Sequence, residues 1–327
     1  MLTTLLAVPS SAPSAEPSRP SHVAVVICTR NRPDKIGQAI SSVLACDHPD
    51  FDVTIVDQST TDATAAVVEP MAQRDSRLRY FHVSEAGLSR AYNTGVRLTT
   101  GEVIAFTDDD CIVPSDWLTS ISAALAADPE GDLLYGRVVP ISGASEPELT
   151  PYLDIPKAER LSRKDGFKVF GMGANFAARR RLFDAIGGFD EVLGGGGPLR
   201  SSQDFDLAYR AYRAGRVILL RPDVWLQHDG RREAEDWPTL LRNYGIGDGA
   251  FYSKHVRCLD AYALWLLTDK LVVGGARRLA KRALGRVNGK DEYTRGIVQG
   301  VRNGMRFTVR RPERLYGSPR HPSEATA

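Results

Sequence analysis

The sequence predicts an α/β fold, a mostly parallel, doubly wound sheet followed by a helical C-terminal extension. Three observations carry this reading. Apolar runs of strand length alternate with stretches of helical spacing between residues 23 and 127. The first run is apolar throughout rather than alternating, as strands covered on both faces are. Two of the runs end on carboxylates, at Asp57 and at Asp108, Asp109 and Asp110. In doubly wound sheets that edge is where ligands bind.

The elements follow in order. Residues 1–21 hold Pro9, Pro13, Pro17 and Pro20 among Ser and Ala and read as a disordered leader. A buried strand occupies 23–28, broken by Thr29, Arg30, Asn31, Arg32 and Pro33, and Asp34 is placed to cap a helix to about residue 45. A second strand over 52–57 leads through a polar turn into a helix ending near Met71. A short strand over 78–82, a helix over 88–98 and a strand over 102–107 come next. A helix over 115–127 and a strand over 133–139 precede a proline-rich loop, 140–168. Strands are expected at 175–178, 217–220 and 224–228, and helices at 180–186 and 203–214. Four consecutive glycines, Gly194 to Gly197, read as a mobile lid. From Trp237 onward the pattern is helical, apolar and basic.

Composition narrows the function. At 327 residues, 43% hydrophobic and 25% charged, the chain is long enough for a large core, which excludes whole-chain disorder and a disulfide-stapled fold. Cys28, Cys46, Cys111 and Cys258 form no CxxC pair, so reduced thiols are expected. No run of about 20 apolar residues suggests a bilayer span, and residues 1–8 lack the basic start of a signal peptide. The net charge of +2 conceals an asymmetry. Residues 254–320 hold 16 Lys/Arg against 5 Asp/Glu, a surplus of 11, so the rest of the chain carries −9. A basic tail of this kind suits an anionic surface, or is a solvated helical face. Residues 259–273, with Tyr262 and Trp265, read as an interfacial helix, followed by Arg277, Arg278, Lys281, Arg282 and Arg286 for anionic headgroups.

Three consecutive carboxylates at a buried strand end need a cation or strong hydrogen bonding to offset their repulsion. Along extended backbone Asp108 and Asp110 share a face while Asp109 points elsewhere. Hard oxygen ligands there suit Mg²⁺ or Mn²⁺ holding phosphates; an acidic turn capping the next helix is the structural alternative.

A set of motifs runs in order through about residues 22–230: Val-Val-Ile-Cys-Thr-Arg-Asn-Arg-Pro, Ile-Val-Asp-Gln-Ser-Thr-Thr-Asp and Phe-Thr-Asp-Asp-Asp-Cys-Ile-Val-Pro, then Gly-Ala-Asn-Phe-Ala-Ala-Arg-Arg, Ile-Gly-Gly-Phe-Asp-Glu and Gln-Asp-Phe-Asp-Leu-Ala-Tyr-Arg. This ordered set resembles family 2 glycosyltransferases. The resemblance implies a GT-A fold, a nucleotide-sugar donor, a saccharide or lipid-linked acceptor, a divalent cation (Mg²⁺ or Mn²⁺) and inversion at the anomeric carbon. It implies a nucleotide-sugar half over 22–139, an acceptor half over 140–236 and an extension over 237–327. Carried over by position, Thr29, Arg30, Asp57, Arg90, Asn93, Asp108 and Asp109 bind donor, Asp110 and His228 hold metal, and Asp204 is the catalytic base, with Asp206 next in line. Asn175 and Gln203 fall on the acceptor side, with Gly171, Met172 and Gly173 nearby. Gln203 departs from the family's usual Glu before the base. Cell-surface polysaccharide or glycolipid synthesis is expected, in the cytoplasm or peripherally on the inner membrane face, with no nucleic-acid partner. Two rival readings remain: a haloacid-dehalogenase-like phosphatase using Asp108 as nucleophile, and a non-catalytic sugar-binding relative.

Overall fold

In the computed structural model the described residues are 22–141, 150–167, 171–273 and 290–320. The leader and the basic residues from Arg277 to Arg286 lie outside them. Among the described residues a nine-stranded sheet forms the centre. Strands β1 (Val23–Thr29), β2 (Phe51–Asp57), β3 (Leu78–His82) and β4 (Val103–Asp108) are parallel, in the spatial order β3-β2-β1-β4. Every residue of β1 is buried, as a continuous apolar run requires.

The connecting helices are α1 (Pro33–Leu44), α2 (Ala63–Arg74) and α3 (Leu88–Leu98). Asp34 lies in the first turn of α1 rather than capping it; Arg32 holds the cap position, and Pro33, whose missing N–H costs nothing there, starts the helix. Beyond β4 come β5 (Cys111–Ile112), α4 (Trp117–Ala127), β6 (Gly131–Pro140), β7 (Glu159–Leu161), β8 (Asn175–Arg179), α5 (Arg180–Ile186), α6 (Gln203–Arg213) and β9 (Val217–His228). The two strands expected at 217–220 and 224–228 are one. Its pairing with β6 slips between Gly136 and Arg137, opposite a stretch containing Pro222, which cannot donate to the ladder.

β8 is antiparallel to both neighbours, β4 and β6, whereas β6 and β9 are parallel. The beginning of β8 therefore lies at the edge where the parallel strands end, with Asn175 opposite Thr107. His228, at the end of β9, pairs with Cys111 on the same edge. One core lies between the sheet and α1, α2 and α4, through Ile40, Val68 and Trp117. The other lies beneath α3, α5 and α6, with the aromatic rings of Tyr92, Phe106, Phe176 and Phe189 at its centre.

The C-terminal region is α7 (Trp237–Arg257), α8 (Ala261–Thr268), a π-turn (Asp269–Val273) and α9 (Lys290–Gly304). It is not helical to its end: β10 (Phe307–Arg310) and β11 (Leu315–Pro319) form an antiparallel hairpin. Pro312 and Arg314 (φ 55°) make the turn, and the β-forming Phe307, Val309 and Tyr316 flank it. α7 joins the second core through Phe251 and Tyr252. α7 and α9 approach through glycines: a Cβ on Gly249 would come 2.1 Å from the Ile297 carbonyl oxygen, and one on Gly300 2.0 Å from that of Ile246. On α8, Tyr262 accepts a hydrogen bond from the Phe167 N–H at 2.9 Å, whereas Leu264 and Trp265 are exposed. Among the described residues no helix is long and apolar enough to cross a membrane.

Candidate active site

The end of β4 gathers the three carboxylates, and β1 supplies their partners. Thr29 Oγ1 donates to Asp109 Oδ2 at 2.7 Å, and the Arg32 guanidinium spans Asp109 Oδ1 at 2.7 Å and Asp110 Oδ2 at 2.6 Å. Asp109 thus faces β1 and Arg32, and Asp108 faces the other way, accepting from the Tyr92 hydroxyl at 3.3 Å. Burial, reinforced by Asp110, pushes the Asp108 carboxyl up to about 7. Burial raises Asp109 to about 6 against the opposing pull of Arg32. At Asp110 burial acts in the same direction, but the His228 contact and the Arg32 charge outweigh it and hold the carboxyl below its usual range.

His228 Nε2 lies 3.4 Å from Asp110 Oδ1, while Nδ1 faces the Pro151 carbonyl oxygen at 3.0 Å. A protonated Nδ1 donating to that carbonyl leaves Nε2 directed at Asp110, the arrangement that orients ligand histidines. Ligand atoms of Asp110, Cys111 and His228 all lie within 4.8 Å of one another. Burial and the neighbouring carboxylates keep the Cys111 thiol protonated, leaving an oxygen and a nitrogen as donors. This donor set fits a divalent cation such as Mn²⁺ or Mg²⁺.

Asp57, at the end of β2, is fully buried; it accepts from the Ser59 N–H at 2.8 Å and the Tyr80 hydroxyl at 2.8 Å. Arg30 is exposed, beside Gly196. The glycine segment is tied down rather than a free lid: Gly194 (φ 96°) and Gly196 (φ 73°) supply its turns, the Leu88 N–H donates to the Gly195 carbonyl at 2.8 Å, and the Gly194 N–H donates to that of Ser201 at 3.1 Å.

A cavity of about 490 Å³ opens beside Asp108, and Asp204, Gln203, Gly171, Met172 and Gly173 line it too. Asp204 stands in the first turn of α6, where its Oδ2 accepts from the Gly173 N–H and its Oδ1 from the Phe205 N–H, each at 2.8 Å. Burial raises its proton affinity, and the two N–H donors moderate the rise. Gly173 sits close beneath this carboxylate, where a Cβ would stand 3.3 Å from Asp204 Oδ2 and press on it.

Other expected residues are placed differently. Asp206 is no alternative base: it is fully buried against Arg210, Lys254 and His255, whose charges and hydrogen bond overcome burial and hold it far below the carboxylate range. Asn175 does not line the cavity. Its Nδ2 donates to the Arg137 and Val224 carbonyls at 2.9 and 3.2 Å and its Oδ1 accepts from Trp117 Nε1 at 3.0 Å, so it ties β8 to β6, β9 and α4. Asn93 pairs with the Phe189 backbone, its Oδ1 accepting from the N–H at 2.7 Å, and Arg90 pairs with Glu85 and Glu191. Both line other hollows than the one holding Asp204.

The C-terminal elements add cavity residues that were not anticipated: Tyr244 and Asp248 of α7, Lys270 of the π-turn and Tyr293 of α9. Asp248 lies in Tyr-Gly-Ile-Gly-Asp-Gly, whose glycine spacing signals close helix packing; Lys270 and Tyr293 carry no local signal. Arg32, named in the sequence only in the break after β1, bridges Asp109 and Asp110.

The profile of "Glycosyl transferase family 2" matches residues 24–187. The pre-mycofactocin glycosyltransferase of Mycobacterium tuberculosis is 28% identical over 240 residues, 70% of this chain but 47% of that protein, so the chain spans about half of that relative. The glucosyl-dolichyl phosphate glucuronosyltransferase of Haloferax volcanii is 27% identical over 72% of this chain and 76% of its own. The mannosyltransferase PcManGT of Pyrobaculum calidifontis, solved in complex with GDP-Man and Mn²⁺, has a TM-score of 0.58 at 18% identity over 90% of this chain and 88% of that one, a likeness of GT-A fold. The phosphatase reading gains no support, and Asp108 ends the fourth strand of the sheet rather than the first. Profile and ordered motifs agree: the chain belongs to glycosyl transferase family 2.

Proposed function

We propose that the chain is an inverting, metal-dependent glycosyltransferase, moving a sugar from a nucleotide-sugar donor to a hydroxyl of a saccharide or lipid-linked acceptor. The observation that carries the reading is a single cavity with both Asp108 and Asp204 in its wall. Asp110 and His228 would hold the cation, with Asp108, Asp109, Asp57, Thr29 and Arg30 on the donor side and Gln203 on the acceptor side. A bound divalent cation supplies positive charge to the diphosphate leaving group. Asp204 accepts the proton of the acceptor hydroxyl. That oxygen bonds to the anomeric carbon from the face opposite the diphosphate, and the nucleoside diphosphate departs with the electron pair of the broken bond. The Gly173 and Phe205 N–H groups fix the carboxylate orientation, and burial makes it a stronger base than an exposed Asp.

The Haloferax dolichyl phosphate glucuronosyltransferase and the Pyrobaculum mannosyltransferase with GDP-Man and Mn²⁺ support a lipid-linked acceptor and a nucleotide-sugar donor with Mn²⁺. A role in polysaccharide or glycolipid synthesis at the inner membrane face accords with them. Exposed Leu264 and Trp265, with the basic residues after 276, are the contact such a location would use. The test measures nucleoside diphosphate release from UDP-, GDP- and dTDP-sugars with Mn²⁺ and with chelator, and the product anomer by NMR. Metal-dependent release with inversion is expected. Donor binding without turnover would instead indicate a sugar-binding relative.

A further inference from the structure

Position 203 holds Gln, so Asp204 has no carboxylate beside it in the chain. The fold brings one from α7. Asp248 lines the same cavity as Asp204. Its Oδ1 accepts from Ser202 Oγ at 2.8 Å, and its Oδ2 faces Lys270 Nζ at 3.3 Å and the Tyr293 hydroxyl. Ser202 is the residue from which α6 starts, and its φ of 71° lies in the left-handed region that a side chain disfavours. Its hydroxyl makes no capping bond to α6 and is held by Asp248 instead. The neighbouring Gly247 packs against the same joint so closely that a Cβ would come 2.1 Å from Ser201 Oγ. α7 therefore grips the backbone joint two residues before Asp204, and Asp248 is the side chain that does so.

We propose that Asp248 is a positioning residue for Asp204: through Ser202 it holds the start of α6, and it brings to the base the carboxylate that position 203 does not provide. The inference rests on the reading of Asp204 as base. Charge accords with the geometry, because Asp248 adds to the larger effect of burial in raising the proton affinity of Asp204. From the sheet and α3, Tyr135, Asp108 and Tyr92 also face this region. From the C-terminal elements come Tyr244, Tyr293 and Lys270, and Lys270, the one cation lining this cavity among the described residues, is paired with Asp248 itself.

Asp248→Asn keeps the shape and an acceptor for Ser202 but loses the charge, Ser202→Ala loses the tether but keeps the charge, and Asp248→Glu is the conservative control. Asp204 is followed by carbon NMR of labelled aspartate, assigned with Asp204→Asn, alongside kcat and donor KM for nucleoside diphosphate release. Asp248→Asn is expected to move the Asp204 titration to lower pH and to lower kcat roughly tenfold, with donor KM within about twofold. Asp248→Glu restores the titration, and Ser202→Ala lowers kcat without moving it. An unmoved titration in Asp248→Asn, or an unchanged kcat in both Asp248→Asn and Ser202→Ala, overturns the proposal. Full turnover by Asp204→Asn would overturn the base reading instead, while the NMR titration reports on Asp248 independently of it.

Discussion

Lys254 of α7 sets its ammonium 2.6 Å from the Asp206 carboxylate of α6, with both side chains fully buried. The same nitrogen lies 2.5 Å from Asp190 Oδ2, which also accepts from the Tyr316 N–H at 2.9 Å. One cation thus neutralises carboxylates from two segments of the sheet domain and lies beside the C-terminal hairpin. Removing one partner of a buried pair leaves an uncompensated charge, so Lys254→Met should lower unfolding free energy by about 3–5 kcal/mol. Denaturant midpoints measure this, and a loss near zero would mean that the cation is replaceable.

His255 is the neutral member of this cluster. Its Nε2 faces Asp206 Oδ1 at 2.9 Å, and burial, which outweighs the Asp206 contact, lowers it from 6.5 to about 4. A histidine whose folded value is depressed takes up its proton more readily when unfolded. Its contribution is present above about pH 6.5 and is lost as pH falls towards 4, a change of about 3 kcal/mol. Asp206, held low, acts in a separate window below its unfolded value of 3.8. His255→Gln should flatten the stability profile between pH 4 and 6.5; equal slopes for both proteins would sink the assignment.

Gly300→Ala would ordinarily favour a helix by up to about 1 kcal/mol. Here the added carbon would stand 2.0 Å from the Ile246 carbonyl oxygen, so overpacking should reverse the sign and cost about 1–3 kcal/mol. Thermal denaturation decides, and a stabilised variant would show that α9 can back away from α7.

Mn²⁺ should raise the melting temperature of the wild type, by the equivalent of about 2.7 kcal/mol at a hundredfold excess over its dissociation constant. Asp110→Asn and His228→Ala should each remove most of that rise and most metal-dependent turnover while leaving the metal-free fold intact. A full Mn²⁺ response in both variants would place the metal elsewhere.

Asp204→Asn should lower sugar transfer by about 10²-fold or more, since it removes the proton acceptor. It preserves the side-chain shape and an oxygen for one N–H donor, so donor affinity measured by calorimetry should survive. Transfer at the wild-type rate would remove Asp204 from the chemistry.

The parallel half of the sheet was legible because its signals are local. Apolar runs such as 23–28 and carboxylate ends such as Asp57 depend on strand burial alone. The antiparallel course of β8 was not, since Asn175–Arg179 reads the same in either direction and only its pairing with β4 sets it. Asp206 illustrates the limit at the site. Two residues from Asp204 on one helix, it points to the opposite environment, which Arg210 of that helix shares with Lys254 and His255 of α7. Asn175 fails similarly, its amide being consumed by carbonyls of β6 and β9 that are distant in sequence. The hairpin at 307–319 was hidden by the arginines around it, whose charge suggested a solvated helix.

The opposed charges of body and tail meet inside the protein as well as on its surface. Lys254 pairs with Asp190, 64 residues before it, and with Asp206 of α6. During synthesis the acids therefore leave the ribosome before their counter-ions exist. A nascent chain stopped short of residue 248 could pair Asp206 with Arg210 of the same helix but would leave it without Lys254 and His255, and would lack Asp248 as well. The ion pairs around the helix carrying Asp204 are thus complete only once α7 is present. Chains ending before α7 would hold the strands of the parallel sheet but would lack Tyr244, Asp248, Lys270 and Tyr293 from the wall of the cavity that holds Asp204.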